Sequence, residues 1–241
     1  MQPELKPIPT NERGYGRGSA HHTAEVAAPG AQKVLRNTYL LLALTMVPTV
    51  IGAWFGMQTA GIIMGSPFIS MIVLLAGVIG LQFAIARYRN SGIGVALLLL
   101  MTGMLGWWLG PLLNVALSMS NGMQLVGYAA VGTGVIFFAM GAVAATAKRD
   151  FSFMGKFLFV GMWALLLAIV ANMFLQIPAL ALTISTLVIV VFSLFLLYDL
   201  QRIIRGGETN YVMATTGVYL SLFNIFANLL HLLMALAGER D

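Results

Sequence analysis

Seven stretches of twenty or more predominantly apolar residues run through this chain: Thr38–Met57, Pro67–Ala86, Ile93–Leu113, Gln124–Ala147, Phe157–Gln176, Ala179–Leu200 and Val212–Ala237. About 20 such residues are enough for a helix to cross the hydrocarbon layer of a bilayer. A strand of a membrane barrel would be about ten residues long and would alternate in polarity. These runs are twice that length and apolar all round, and in lipid a helix satisfies its own backbone hydrogen bonds. The expected fold class is an all-α membrane protein of seven transmembrane helices. Composition agrees: 59% of the 241 residues are hydrophobic and 9% are charged, against roughly a quarter charged in a typical soluble domain. The mean hydropathy is +0.90. A soluble enzyme, a disordered chain and a nucleic-acid reader are thereby excluded. The sequence pI of about 9.7 rests on 13 Lys and Arg, which lie between the apolar runs instead of clustering on one soluble face. With no cysteine, disulfides and thiolate metal sites are excluded too.

The basic residues set the expected topology. Lys6, Arg13, Arg17, Lys33 and Arg36 precede span one, and Arg87 and Arg89 join spans two and three. Lys148, Arg149 and Lys156 join spans four and five, and Arg202 and Arg205 join spans six and seven. The opposite loops carry none, and only Arg240 lies beyond the last span. Lys and Arg are retained on the cytoplasmic side, so the N-terminus is expected inside and the C-terminus outside. Residues 1–32, rich in Pro, Gly and charge, lack the apolar core of a signal peptide and read as a disordered cytoplasmic tail. Residues 33–241 form the transmembrane domain. Within the tail, His21-His22 is at most a weak metal site, having no third ligand nearby. Gly103, Gly106, Gly110 and Pro111 suggest a kink or break at the outer end of span three. Gln176-Ile177-Pro178 is so short that spans five and six must form an antiparallel hairpin.

The polar residues inside the spans are the functional candidates. Asp199 is the only acid within an apolar run, close to the cytoplasmic end of span six. One reading has its carboxylate reach the interface or pair with Arg202. The other has it face the bundle interior as a proton- or cation-responsive group, with Arg87 as a candidate cross-helix partner. A charge at a helix centre costs about 2.5–3.5 kcal/mol on the insertion scale, and less near a helix end. In span seven, Ser221, Asn224, Asn228 and His231 fall within an arc of about 80° at 100° per residue. A stripe this polar should face protein or water, which predicts a central position for span seven. Its groups either hold helices together by hydrogen bonds or line a path for ions or protons. His231 titrates near neutral pH when unperturbed but lies toward the outer end, far from Asp199. Asn172 in span five reads as a further helix–helix contact. Gly52-x-x-x-Gly56 and Gly106-x-x-x-Gly110 permit close helix approach.

Catalytic readings find little support. Ser221 and His231 lie ten residues apart on one helix, roughly 15 Å, too far for a nucleophile and its base. An intramembrane aspartic protease needs two carboxylates sharing a proton, and Glu208 sits in a loop. No cofactor fingerprint is present, and no cofactor is expected.

Several segments together resemble the Bax inhibitor family (TMBIM type), and within it the bacterial YccA branch. They are Lys33-Val34-Leu35-Arg36-Asn37-Thr38-Tyr39, Leu109-Gly110-Pro111-Leu112-Leu113-Asn114, Asp150-Phe151-Ser152-Phe153-Met154-Gly155 and Ala171 through Leu180. The most specific are Gly206-Gly207-Glu208-Thr209-Asn210-Tyr211 and Tyr219 through Phe226. The resemblance runs from about Lys33 to Leu236. It implies a fold in which the last helix is surrounded by the other six. It also implies a non-enzymatic inner-membrane protein that binds and modulates FtsH, a membrane-anchored ATP-dependent protease.

Other members of the family look like pH-sensitive calcium leak channels, in which acids in spans six and seven share a proton. Asp199 matches the span-six acid, whereas Ser221 stands at the span-seven position. Two close carboxylates raise one pKa strongly, and a serine cannot take that part. The Ser221 form is the one the YccA branch shows, so the departure favours the modulator. The alternative is a calcium or cation leak gated by Asp199.

Overall fold

A computed structural model describes residues 30–149, 151 and 153–238. Eight helices follow one another: α1 (Ala31–Gln58), α2 (Ala60–Gly65), α3 (Pro67–Tyr88), α4 (Gly92–Ser118), α5 (Gly122–Thr146), α6 (Met154–Leu175), α7 (Pro178–Ile204) and α8 (Tyr211–Gly238). All but α2 are long and apolar enough to cross a membrane, seven in all. The seven expected spans are present. They run on past the apolar runs because a helix continues beyond the hydrocarbon wherever its residues tolerate water. Thus α1 starts at Ala31 and carries Lys33 and Arg36 exposed on its first turns. The expectation for the preceding tail, including His21-His22, lies outside the described residues except at its last positions, where Ala31 and Gln32 are helical. The short helix α2 has no counterpart in the hydropathy pattern.

Large apolar side chains face outward on every side, Phe83, Phe138 and Phe157 among them at 74–75% exposure. On a soluble protein such patches would be association sites; here they are the surface that lipid covers. The interior is built around α8, whose Val218, Tyr219 and Ile225 pack with Leu98, Met101 and Leu105 of α4 and with Leu196 and Leu200 of α7. α8 also meets α1, α3 and α5. The sixth neighbour expected around it, α6, packs instead against α7, which it joins through the expected tight hairpin. Gln176 there takes a left-handed conformation (φ 51°), and the Ile177 N–H donates to Asn172 Oδ1 at 3.2 Å. Asn172 therefore closes a turn and does not serve as a contact between helices deep in the bundle.

The closest helix pair is α1 with α4, and its cause is visible in the glycines. A Cβ at Gly52 would collide with the Gly103 carbonyl, and one at Gly56 with the Trp107 carbonyl. One at Gly106 would strike the backbone of Thr49, and one at Gly110 the backbone of Gly56 and Met57. The two small-residue motifs interlock. Pro111 neither breaks nor ends the helix, which runs unbroken to Ser118. Proline lacks the N–H that would engage the carbonyl four residues back, which is Trp107, and that carbonyl abuts Gly56. A glycine Cα–H is the group best able to approach it. The Trp107 Nε1 also donates to Thr59 Oγ1 at 2.7 Å, fastening the C-terminal end of α1 to α4.

Substituting Gly56 or Gly106 by Leu is expected to lower stability by at least the upper end of the roughly 1–3 kcal/mol typical of overpacking. Gly80→Leu on α3, where a Cβ meets nothing within 4 Å, should stay within about 0.5 kcal/mol. Thermal unfolding in one detergent, comparing the three variants, reads the difference.

Candidate functional site

The polar groups of the bundle gather along α8 and at the basic end where α7 hands over to it. Gly206 turns the chain in a left-handed conformation (φ 75°) that costs a glycine nothing. The N–H groups of Gly207 and Glu208 donate back to the Arg202 carbonyl at 2.8 and 3.1 Å. Glu208 pairs with Arg202 at 3.1 Å and accepts the Asn210 N–H at 3.0 Å. Asn210 Oδ1 takes the N–H groups of Val212 and Met213, which caps α8 in the usual asparagine manner. The amide nitrogen of Asn210 donates to the Arg89 carbonyl and to Asn90 Oδ1. Gln201 clamps the α5–α6 connection, accepting the Phe151 N–H and donating to the Arg149 carbonyl, both at 2.8 Å. Arg205 donates to the carbonyls of Ala147 and Arg149. Three basic connections are thus tied together at one end of the molecule.

Asp199 sits one turn inside this end. Its carboxylate faces α8 at Gly217, where a Cβ would come within 2.7 Å of Oδ2. The glycine makes the room the carboxylate occupies. Arg202 is engaged with Glu208 instead of Asp199. Arg87 is exposed at the end of α3 and makes no ion pair among the described residues. Of the two readings of Asp199, the interior orientation is the one the backbone supports. Ser221 lies one turn beyond Gly217 on the same face of α8 and is 2% exposed.

The rest of the stripe divides. Asn224 and Asn228 donate their side-chain amides to the carbonyls of Leu220 and Asn224, four residues back in their own helix. His231 reaches across to α7, where its Nδ1 lies 2.9 Å from Ser185 Oγ. Asp199 and Ser185 thus meet the same face of α8 near its two ends. Ser185 is buried at 4% exposure, and its bond to His231 fastens the α7–α8 seam.

Tyr219 is a functional residue that nothing local in the sequence marks. Its hydroxyl lies 2.7 Å from Thr49 Oγ1 on α1 and 3.4 Å from the Thr102 carbonyl on α4. It joins three helices, and Thr49 in turn donates to the Thr45 carbonyl. A tyrosine within an apolar run reads as core by type, and partners 170 and 117 positions away leave no local spacing. The one available signal was that a buried phenol needs a partner. No three metal-ligating side chains converge among the described residues.

In a double-mutant cycle of Tyr219→Phe and Thr49→Val, a coupling of about 0.6 kcal/mol and no more than about 1.7 is expected, the range of hydrogen bonds between membrane helices. Equilibrium unfolding in mixed micelles measures it.

Comparison with known proteins places this arrangement. A family model described as "Inhibitor of apoptosis-promoting Bax1" matches residues 31–238. A protein of Escherichia coli K12 named "Modulator of FtsH protease YccA" is 42% identical over 201 residues, covering 83% of this chain and 89% of its own length. Its counterpart in another Escherichia coli strain, equally similar, is named "Inner membrane protein YccA". A membrane protein of Vibrio cholerae is 40% identical over 201 residues, 83% of this chain and 88% of its own. With a matching family model over nearly all the described residues and relatives this close, the chain belongs to the Bax inhibitor family.

Proposed function

We propose that this protein binds the membrane-anchored protease FtsH and tempers its activity, without catalysing a reaction itself. The observation that carries the reading is the 42% identity, over most of both chains, to a relative named as a modulator of that protease. Ser221 in place of a second acid points the same way. The physical mechanism is resistance to extraction. A processive protease must pull a substrate out of the membrane, and the interlocked α1–α4 seam, the Tyr219 bridge and the tied basic loops oppose that pull. Such a bundle occupies the protease without being consumed, and residues 1–32 are the segment that the protease engages. The protein lies in the bacterial inner membrane with its N-terminus cytoplasmic and its C-terminus periplasmic, following the distribution of Lys and Arg.

Co-purification from native membranes in mild detergent, with partners identified by mass spectrometry, tests this. The full chain is expected to bring down the protease, and a version lacking residues 1–32 to lose most of it. Absence of the protease from both samples would remove the reading.

A second reading, a calcium or cation leak, draws on the inward orientation of Asp199 against Gly217. If it holds, purified protein makes liposomes permeable to calcium, and Asp199→Asn alters the flux or its pH dependence. Flux unchanged by that substitution excludes Asp199 as the gate.

A further inference from the structure

Between α1 and α5 the bundle leaves an apolar groove of about 650 Å³. It runs from Leu35 to Met46 on α1 and from Ala145 to Thr133 on α5, with Ile204 of α7 and Leu222 of α8 also lining it. Eleven residues of helix rise about 16 Å, which is half of a hydrocarbon core of about 30 Å. The groove is therefore one leaflet deep. A transmembrane helix of a partner would need the full thickness, whereas one lipid acyl chain needs only this. Apart from the hydroxyls of Tyr39 and Thr133, its lining is hydrocarbon and aromatic, with Tyr39 and Phe137 meeting edge to face at 5.9 Å within it.

One end of the groove, at Met46 and Thr133, lies midway along α1 and α5, and the other, at Leu35, Ala145 and Ile204, lies at the basic end. There Leu35 is followed by Arg36, Ile204 by Arg205, and Ala145 is three residues from Lys148. All three cations are exposed, and each stands on a different element of the rim. Arg205 is held in place by its bonds to the Ala147 and Arg149 carbonyls at 3.0 and 2.9 Å. Basic pockets between transmembrane helices on the cytoplasmic side suit anionic headgroups.

We propose that the α1–α5 groove binds one anionic phospholipid, with an acyl chain along the groove and its phosphate among Arg36, Lys148 and Arg205. The site is independent of the protease and leak readings, because it uses neither Asp199 nor the polar stripe of α8. Gly134 supplies the means of testing it: it lines the groove, and a Cβ there meets nothing within 4 Å. A large side chain at this position fills the groove without pushing on a helix.

The full chain, freed of lipid in mild detergent, would be mixed with equal amounts of phosphatidylglycerol and phosphatidylcholine and weighed by native mass spectrometry. Wild type is expected to retain one phosphatidylglycerol in preference to phosphatidylcholine. Arg36→Gln with Lys148→Gln is expected to cut that preference by about fivefold per charge removed. Gly134→Trp is expected to lose the retained lipid while melting, lipid-free, at the wild-type temperature. Equal retention of the two lipids by wild type would overturn the proposal. So would wild-type retention by Gly134→Trp, or a dimer of this chain that Gly134→Trp dissociates. Should Gly134→Trp fail to fold, the charge variant decides alone, and an unchanged preference there overturns the proposal.

Discussion

Hydrocarbon offers a polar side chain nothing to bond with, and α8 carries polar groups on opposed faces. Ser221 and His231 turn toward α7, while the Tyr219 hydroxyl turns toward α1 and α4. A helix so marked has no face to give to lipid over most of its length, so other helices must enclose it. The remaining architecture follows from that requirement. α7 shields one polar face and meets it with Ser185 and Asp199. α1 and α4 shield the other, and Tyr219 reaches Thr49 and the Thr102 carbonyl only because those two helices are drawn together. Their closeness in turn depends on glycines, since no side chain fits between the Gly56 and Gly110 backbones. α6, with no polar group of α8 to cover, is free to stand outside α7.

Much of this is legible in the amino-acid sequence. Apolar length reveals seven spans because the bilayer imposes a length on each, and the polar stripe foretells a central α8 because polarity in lipid has one physical solution. The sequence leaves the orientation of Asp199 open, for its neighbour Arg202 looks like a ready partner. Arg202 is taken by Glu208, which the turn at Gly206 brings back against it, and that turn is set by backbone conformation instead of by charge. The continuous helix through Pro111 was harder to foresee. Proline removes a hydrogen bond, but the compensation comes from α1, more than fifty positions earlier. Tyr219 was hidden for the same reason: its partners belong to other helices, and contacts between distant segments leave no period in a sequence.

The Gly206–Tyr211 segment shows how a well-marked motif can be mechanical. Its glycine makes the turn, its glutamate holds Arg202, and its asparagine caps α8 and grips the α3–α4 connection. With Gln201 and Arg205 holding the α5–α6 connection, the basic end becomes one hydrogen-bonded plate from which α7 and α8 descend. A plate of this kind fixes the depth of Asp199 and the rotation of Gly217 against it. Motif strength in this chain therefore reports on the geometry around the candidate site more than on any chemistry within the motif itself.

Asp199 gains its meaning from what faces it. Opposite stands a glycine, and one turn farther a serine, so the carboxylate has space but finds no acid on α8 with which to share a proton. Two carboxylates at such a distance would oppose each other's ionisation, and that opposition is what turns proton binding into a mechanical switch. A single carboxylate against a small residue lacks this leverage: α8 (Tyr211–Gly238) carries no acid, so protonating Asp199 relieves no repulsion from a carboxylate across the α7–α8 seam. The seam is meanwhile held at its far end by Ser185 and His231 and at its near end by the tied loops, neither of which depends on Asp199. A bundle closed at both ends in this way is better suited to stay intact under an external pull than to open in response to a proton, which is the property a protein that tempers a membrane protease would need.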